Sequence, residues 1–352
     1  GIAGLLFFTP ILWVLPSLED GRKTLWFFDP GKVPAYSPHI WTMLAVVAFV
    51  LTALTLLWLN ARPDFAILRD KSKGKSKLYS FLAAGWVGST HQWGALRDRV
   101  SVLGIFYFML LITVNYFLAS DFLMAMIPGW VDSLYPATQT HNAIQGGVAI
   151  LTISVFIMWK WGGYRDFIGL DQLWGLGKLL FGISLLWFWF FISSLMVLWY
   201  GKKPNERDVL QILMFGNYLP IFVSTFFFVC IVPFFCLTLD KIRKSFYGPP
   251  IIALSVLIGN FLDRLRHYGS AYSLDRTMDE ATHRFANLPE IAIPNIVDLM
   301  VIFGAVSFPI FLILLVTKYI PVISIWENRE YKLYGSHEKY YKTEVLVEGK
   351  PY

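Results

Sequence analysis

The sequence predicts an all-α fold, a polytopic bundle of about eight transmembrane helices. Three observations carry that prediction. Hydrophobic residues make up 56% of the 352-residue chain and charged residues only 15%, against roughly 25% charged in a soluble domain. Mean hydropathy is +0.54, more apolar surface than one or two soluble cores of this length would hide. The stretch from Asp171 to Tyr200 carries a single internal charge, Lys178, and ends on a Trp-Tyr pair. A hydrocarbon core about 30 Å thick needs about 20 helical residues, so this stretch spans a bilayer.

Apolar runs long enough to cross, or nearly so, lie at about 1–16, 40–60, 101–120, 141–161, 173–199, 212–238, 249–263 and 296–320. The first is cut by the chain start at Gly1, which leads to the expectation that further N-terminal helices precede it. The run at 249–263 is short. Between 78 and 100 a mixed segment with several glycines, His91 and terminal charges suits a helix lying at the interface. Residues 1–320 would form the bundle and 321–352 a tail, rich in Tyr, Lys and Glu, that lies on a neighbouring subunit. Passing across alternately, the loops around 60–100, 160–172 and 240–248 share one side with the tail. That side holds about twice the Lys and Arg of the other. By the positive-inside bias it is cytoplasmic, which puts the chain in a bacterial cell membrane with its C-terminus inside.

Composition excludes several classes. Net charge is +6, but the basic residues sit in loops without the aromatic interleaving of nucleic-acid binders. Cys230 and Cys236 have a spacing that matches no zinc or iron–sulfur pattern and read as small hydrophobes. A haem-binding bundle needs histidines deep in facing helices. Here His39 and His141 fall at helix starts, His91 at the interface, and His267, His283 and His337 in loops or the tail. No metal and no redox cofactor is expected on this chain.

Ionisable groups near the bilayer are the candidate site. A charge in lipid costs free energy unless it turns toward protein or water. Asp121 ends one span, His141 begins the next, Asp263 ends the short span and Asp298 begins the last. Asn260 shares a helical face with Asp263, and Gln145 lies one turn from His141. All six fall toward the outer face and form a polar funnel in which histidine supplies a near-neutral group. Lys178 lies roughly 7 Å inside its helix from the cytoplasmic side. Ser193 and Ser194 are mid-membrane hydroxyls. The opposing reading makes each of these an ordinary interfacial or snorkelling residue. With only neutral polar groups in the middle, the spans support a half-channel rather than a complete proton wire.

The segment Gly175–Arg207 resembles the NrfD/PsrC-type integral membrane subunits, most closely the ActF-type subunit of alternative complex III, a quinol:cytochrome c (or cupredoxin) oxidoreductase. Gly177–Phe181, Trp187, Ser193, Met196, Trp199, Tyr200, Pro204 and Glu206 match that family's pattern without a gap. Gly129–Pro136 resembles its DW-x-MSLDP segment, and Asp240–Arg243, Asn260–Arg264 and the Asp298 helix resemble its last three spans. Two features depart. The family's Gln is Ser194 here, and its acidic residues around DW-x-MSLDP are Gly129 and Tyr135, with Asp132 nearby.

The resemblance implies about ten helices, of which this chain supplies the last eight. It also implies a cofactor-free subunit that packs beside a sister NrfD-like subunit, under periplasmic multihaem cytochrome c and iron–sulfur subunits. Such a complex oxidises quinol (menaquinol or ubiquinol), and this subunit would scaffold it and conduct protons. A quinone-binding NrfD-like subunit is the neighbouring alternative, with Trp130, His141 and Tyr218 as candidate contacts. A secondary transporter is the alternative of another class, kept open by the breaks at Pro220 and Pro233.

Overall fold

The computed structural model describes residues 38–71, 76–127, 130, 132–201, 204–274, 287–291, 293–334, 337–340 and 343–346. The predicted run at 1–16, His283, Gly129 and residues 335–336, 341–342 and 347–352 of the Tyr- and Lys-rich tail lie outside them. The described chain is helical apart from a short hairpin, in which β1 (His337–Tyr340) pairs antiparallel with β2 (Thr343–Leu346). Among the described residues, six helices are long and apolar enough to cross a membrane.

The described parts of 46–110 and 295–352 form one compact unit, and those of 38–45 and 111–294 form another. Helices α1 (Pro38–Lys71) and α3 (Thr90–Phe122), whose stretches 46–71 and 90–110 belong to the first unit, are 34 and 33 residues long. At 1.5 Å per residue each measures about 50 Å, well beyond about 30 Å of hydrocarbon, so each has an end that stands clear of it. The segment at 78–100 is therefore not one interfacial helix. Its first part is the short α2 (Ser76–Ala83), and from Thr90 onward it is the opening of α3. Leu59, Phe65, Tyr79, Ala83, Trp86 and Leu96 pack where these three helices meet. Arg62 donates to the carbonyls of Ala83 and Ala84 and stacks on Trp58 and Trp86. Helix α11 (Ile296–Val316) opens on a capping box, with the Asn295 side chain accepting from Val297 and Asp298 while Asp298 accepts from the Asn295 amide at 2.9 Å.

The second unit holds α4 (Leu134–Lys160), α5 (Leu170–Gly201), a broken span from Pro204 to Thr238, and α10 (Gly248–Tyr272). Helix α4 packs against both α5 and α10. The apolar run predicts that α10 ends at Asp263, but the helix continues nine residues further. Arg264, Arg266 and His267 dilute its hydropathy, yet a helix needs only one face compatible with its surroundings, and Arg266 and His267 extend the buried stripe of Ile252, Val256, Asn260 and Asp263 while Arg264 is exposed.

The broken span comprises α6 (Pro204–Leu210), a π-turn at Gln211–Phe215, α7 (Leu219–Phe226), a second π-turn at Phe227–Ile231, and α8 (Val232–Thr238). Each π-turn has a local cause. Pro233 has no N–H to give the carbonyl of Val229, so the helix widens just before it. The first closes by a bond from Gly216 N to the Gln211 carbonyl at 2.6 Å, where a Cβ would sit 2.5 Å from that oxygen. Helix α10 then takes up a carbonyl from each turn: Ser255 Oγ donates to Phe228 O at 3.0 Å, and Arg266 Nη1 donates to Leu213 O. Gly259 lets the two backbones approach, since a Cβ there would lie 2.5 Å from Val229 Cγ2 and 3.0 Å from Val229 N. The short α9 (Asp240–Arg243) leads into α10, which starts on Pro249 and Pro250. Cys230 is buried and Cys236 half-buried, both free thiols packed among apolar side chains.

Candidate functional site

Helices α4 and α10 are inverted relative to soluble amphipathic helices. On α4 the buried face carries Tyr135, Gln139, His141, Asn142, Gln145 and Thr152, while Ile150, Leu151 and Ile157 are exposed. On α10 the buried face carries Asn260, Asp263, Arg266, His267 and Ser270, while Ile251, Leu254, Ile258 and Phe261 are exposed. Apolar outside and polar inside is what a bilayer selects, because lipid solvates the hydrocarbon and protein must satisfy the rest.

The two polar faces meet along an antiparallel seam. Tyr135 lies 5.0 Å from the His267 ring, Asn142 Nδ2 donates to Asp263 Oδ2 at 3.0 Å, and the site of a Cβ on Gly146 is 3.6 Å from Asn260 Nδ2. At the centre sits a buried ion pair, with Arg266 Nη2 donating to Asp263 Oδ1 at 2.7 Å and side chains 5% and 3% exposed. The guanidinium also lies 5.2 Å from the Phe222 ring centre. His267 Nδ1 is 2.7 Å from the backbone oxygen of Asp263, and its Nε2 is 3.2 Å from Arg266 Nη2. The carbonyl only accepts and the guanidinium only donates, so these partners select the tautomer with its proton on Nδ1.

Around this centre runs a file of smaller groups. Gln145 Nε2 donates to Ser184 Oγ at 3.0 Å, which donates to the Leu180 carbonyl at 2.8 Å, tying α4 to α5. His141 is buried, with its ring 5.6 Å from that of Phe190. Toward the start of α4, Trp130 packs on Tyr135 at 4.5 Å. Asp132 Oδ1 accepts from the amides of Leu134 and Tyr135, and its Oδ2 accepts from Ser194 Oγ at 2.9 Å. One carboxylate thus both starts α4 and anchors the far end of α5.

Several buried atoms in this file have no partner among the described residues: Trp130 Nε1, Tyr135 Oη, Gln139 Nε2, His141 Nε2, Asn142 Oδ1, Gln145 Oε1, both amide atoms of Asn260 and Arg266 Nε. Buried polar atoms are nearly always hydrogen-bonded, and each one left unmet costs about 1–3 kcal/mol. A run of them along one seam has the chemistry of a site that takes water or a polar ligand.

The structure thus brings together His141, Gln145, Asn260 and Asp263 from the sequence-predicted set, with Trp130 at one end. It places the others elsewhere. Asp121 accepts from Thr42 Oγ1 at 3.0 Å. Tyr218 is buried and donates to the Glu290 carbonyl at 3.2 Å, beside Gly269. Ser194 is held by Asp132, and Ser193 beside it is half-buried. Lys178 is exposed, its ammonium 3.7 Å from the Trp174 ring centre, and Asp298 serves the capping box of α11 in the other unit. Sequence reasoning misses Asn142, Arg266 and His267. It assigns His267 to a loop, yet this residue lies in α10 and is buried. The signal is present in the spacing: Asn260, Asp263 and His267 recur at three and four residues, one continuous helical face past the predicted end.

Fold and site together define a polytopic helical membrane protein with a charged network sealed inside one of its two units. No family model matches the chain. Its sequence is 24% identical to one of the subunits of the selenate reductase of Mesobacillus selenatarsenatis, an alignment of 358 residues that takes in 96% of this chain and 78% of that protein. The chain is a distant homologue of that selenate reductase component.

Proposed function

We propose that this chain is a cofactor-free membrane subunit of a quinol-oxidising electron-transfer complex of the alternative complex III kind, which it scaffolds and serves with a proton path. The observation that carries the reading is the seam of buried, partly unmet polar atoms running from Trp130 and His267 through Asn142–Asp263 to His141 and Gln145–Ser184. Unmet hydrogen-bonding atoms that can hold water beside the titratable His141, Asp263 and His267, inside helices otherwise apolar, suit a conduit better than a packing core. The distant likeness to a protein named as a subunit of selenate reductase supports membership of an electron-transfer assembly. In this reading the chain sits in a bacterial cell membrane with its C-terminus cytoplasmic, beside a sister NrfD-like subunit and under periplasmic multihaem cytochrome c and iron–sulfur subunits. The complex uses menaquinol or ubiquinol.

A second reading, a quinone-binding NrfD-like subunit, draws on one observation. Trp130 Nε1, Tyr135 Oη and His141 Nε2 are buried and unmet near aromatic rings, as donors and platform for a quinone carbonyl would be.

The test is made on the intact assembly extracted in mild detergent. Co-purification with a multihaem cytochrome c is expected; a solitary chain that moves a solute in liposomes would replace the proposal with a transporter. In proteoliposomes, His141→Leu and Asn142→Leu should lower proton uptake per electron with the KM for quinol unchanged. A raised quinol KM with unchanged proton stoichiometry would favour the quinone site instead. Neither change would remove the seam from function.

A further inference from the structure

Lys178, which the proton seam does not use, belongs to a cluster of its own at one end of the second unit. It lies two turns into α5, about 12 Å along the axis, and its ammonium reaches back to 3.7 Å from the Trp174 ring centre. Lys244, just past α9, brings a second ammonium to 5.4 Å from the centre of the same ring. Two cations thus converge on one indole. The level of the cluster follows from the loop that carries Lys244. Two residues on, Phe246 stacks on Trp159 at 4.4 Å, and Tyr247 lies 5.2 Å from the Lys160 ammonium, so α5 begins at the level where α4 ends. Helix α8 stops here too, at Thr238, just before Asp240. Trp159, Trp161 and Trp174 at these ends have the composition of a headgroup boundary.

The charges at this end do not balance. Asp240 accepts from Lys244 at 3.0 Å and also pairs with Arg243, so one carboxylate serves two cations. Lys178 pairs with no carboxylate among the described residues, and neither do Lys160 and Arg165, which rest on the rings of Trp161 and Trp159. Asp166 and Asp171, close by in sequence, join none of these cations. A ring face attracts an ammonium but leaves its charge in place. On the hydrocarbon side of the cations α5 offers room. Gly182 lies one turn past Lys178 on the same face, with nothing within 4 Å of where its Cβ would be. Leu185 and Leu186 continue that face and are exposed. We propose that Lys178 and Lys244 hold the phosphate of an anionic glycerophospholipid, one of whose acyl chains lies over Gly182. A phosphodiester without an ammonium answers the surplus charge, whereas a zwitterionic headgroup brings a cation toward it.

The test uses the membrane-extracted protein with its accompanying subunits, exchanged into nanodiscs of equal phosphatidylglycerol, phosphatidylethanolamine and phosphatidylcholine and read by native mass spectrometry. Retained phosphatidylglycerol is expected in several-fold excess over either zwitterionic lipid. Lys178→Gln and Lys244→Gln should each cut its retention about fivefold, the effect of one cation at the membrane surface, and Lys178→Arg should keep it. Lys318→Gln, which removes the charge just past α11 in the other unit, should leave it unchanged. Gly182→Leu alters no charge and places its side chain in open space, yet should lower retention by displacing the acyl chain. Equal retention of the three lipids, or a loss with Lys318→Gln that matches Lys178→Gln, overturns the proposal. So does retention that Gly182→Leu leaves intact and excess inorganic phosphate abolishes, which would make the cluster a receptor for a soluble anion. The lipid comparison on the unaltered protein stands even if a variant misfolds.

Discussion

Replacing Asp263 with alanine tests the centre of the buried network. In the native structure Arg266 is 5% exposed and its charge is answered by Asp263, with the neutral Leu213 carbonyl, His267 Nε2 and the Phe222 face beside it. Asp263→Ala strands that cation in a low-dielectric interior, and breaking one side of a buried pair costs about 3–5 kcal/mol. The Asn142 amide loses its acceptor at the same time, a further cost of about 1–3 kcal/mol that overlaps with the first. The folded-to-unfolded ratio should fall by roughly two to four powers of ten. Denaturant titration in mixed micelles, followed by circular dichroism, reads this directly. The double variant Asp263→Leu/Arg266→Leu removes both charges and should recover most of the loss, because an apolar pair of similar volume often replaces a buried ion pair at little cost. A single variant that costs less than about 1 kcal/mol, or a double variant whose cost is the sum of both singles, would refute the account of the pair as mutually dependent.

Gly259→Ala should destabilise by about 1–3 kcal/mol, since its Cβ would meet Val229 at 2.5 Å, and an unchanged melting temperature would show that the two helices sit further apart. Ser255→Ala should cost about 1 kcal/mol by removing the donor to the Phe228 carbonyl, and hydrogen exchange in the 227–231 turn should quicken with it. Asp64→Ala removes the acceptor for the first amides of α12 (Ile325–Tyr334); a loss of about 1–2 kcal/mol in local opening is expected, read as faster exchange at Ile325 and Trp326. Asp132→Ala should free the Ser194 end of α5 as well as the start of α4, so the thiol of Ser194→Cys should label faster in that background than in the parent.

Much of this architecture is written in the order of residues. Runs of apolar side chains, 20 or so long, have few alternatives to a spanning helix, because lipid leaves backbone N–H and C=O groups no partner but their own helix. The runs at 40–60, 101–120, 141–161, 173–199, 212–238 and 296–320 each lie within a helix or a chain of helical turns. The differences fall at ends. α3 begins eleven residues before its apolar run and α10 continues past its own, since a helix does not stop where hydropathy drops if one face still finds a partner.

The pairing of polar groups is not legible in the same way. His141, Gln145, Asn260 and Asp263 stand out because isolated polar residues in greasy stretches are conspicuous, but linear order says nothing of which helix faces which. Arg266 and His267 read as loop charges until α10 carries them into the interior beside Asp263, and Lys178 reads as an inward group although its ammonium lies on the Trp174 face. The apolar content of a segment is a property of that segment alone, and so composition settles that it crosses the bilayer. A charge inside is tolerated only by what another helix brings to it, and that depends on distances across the bundle which no stretch of chain contains.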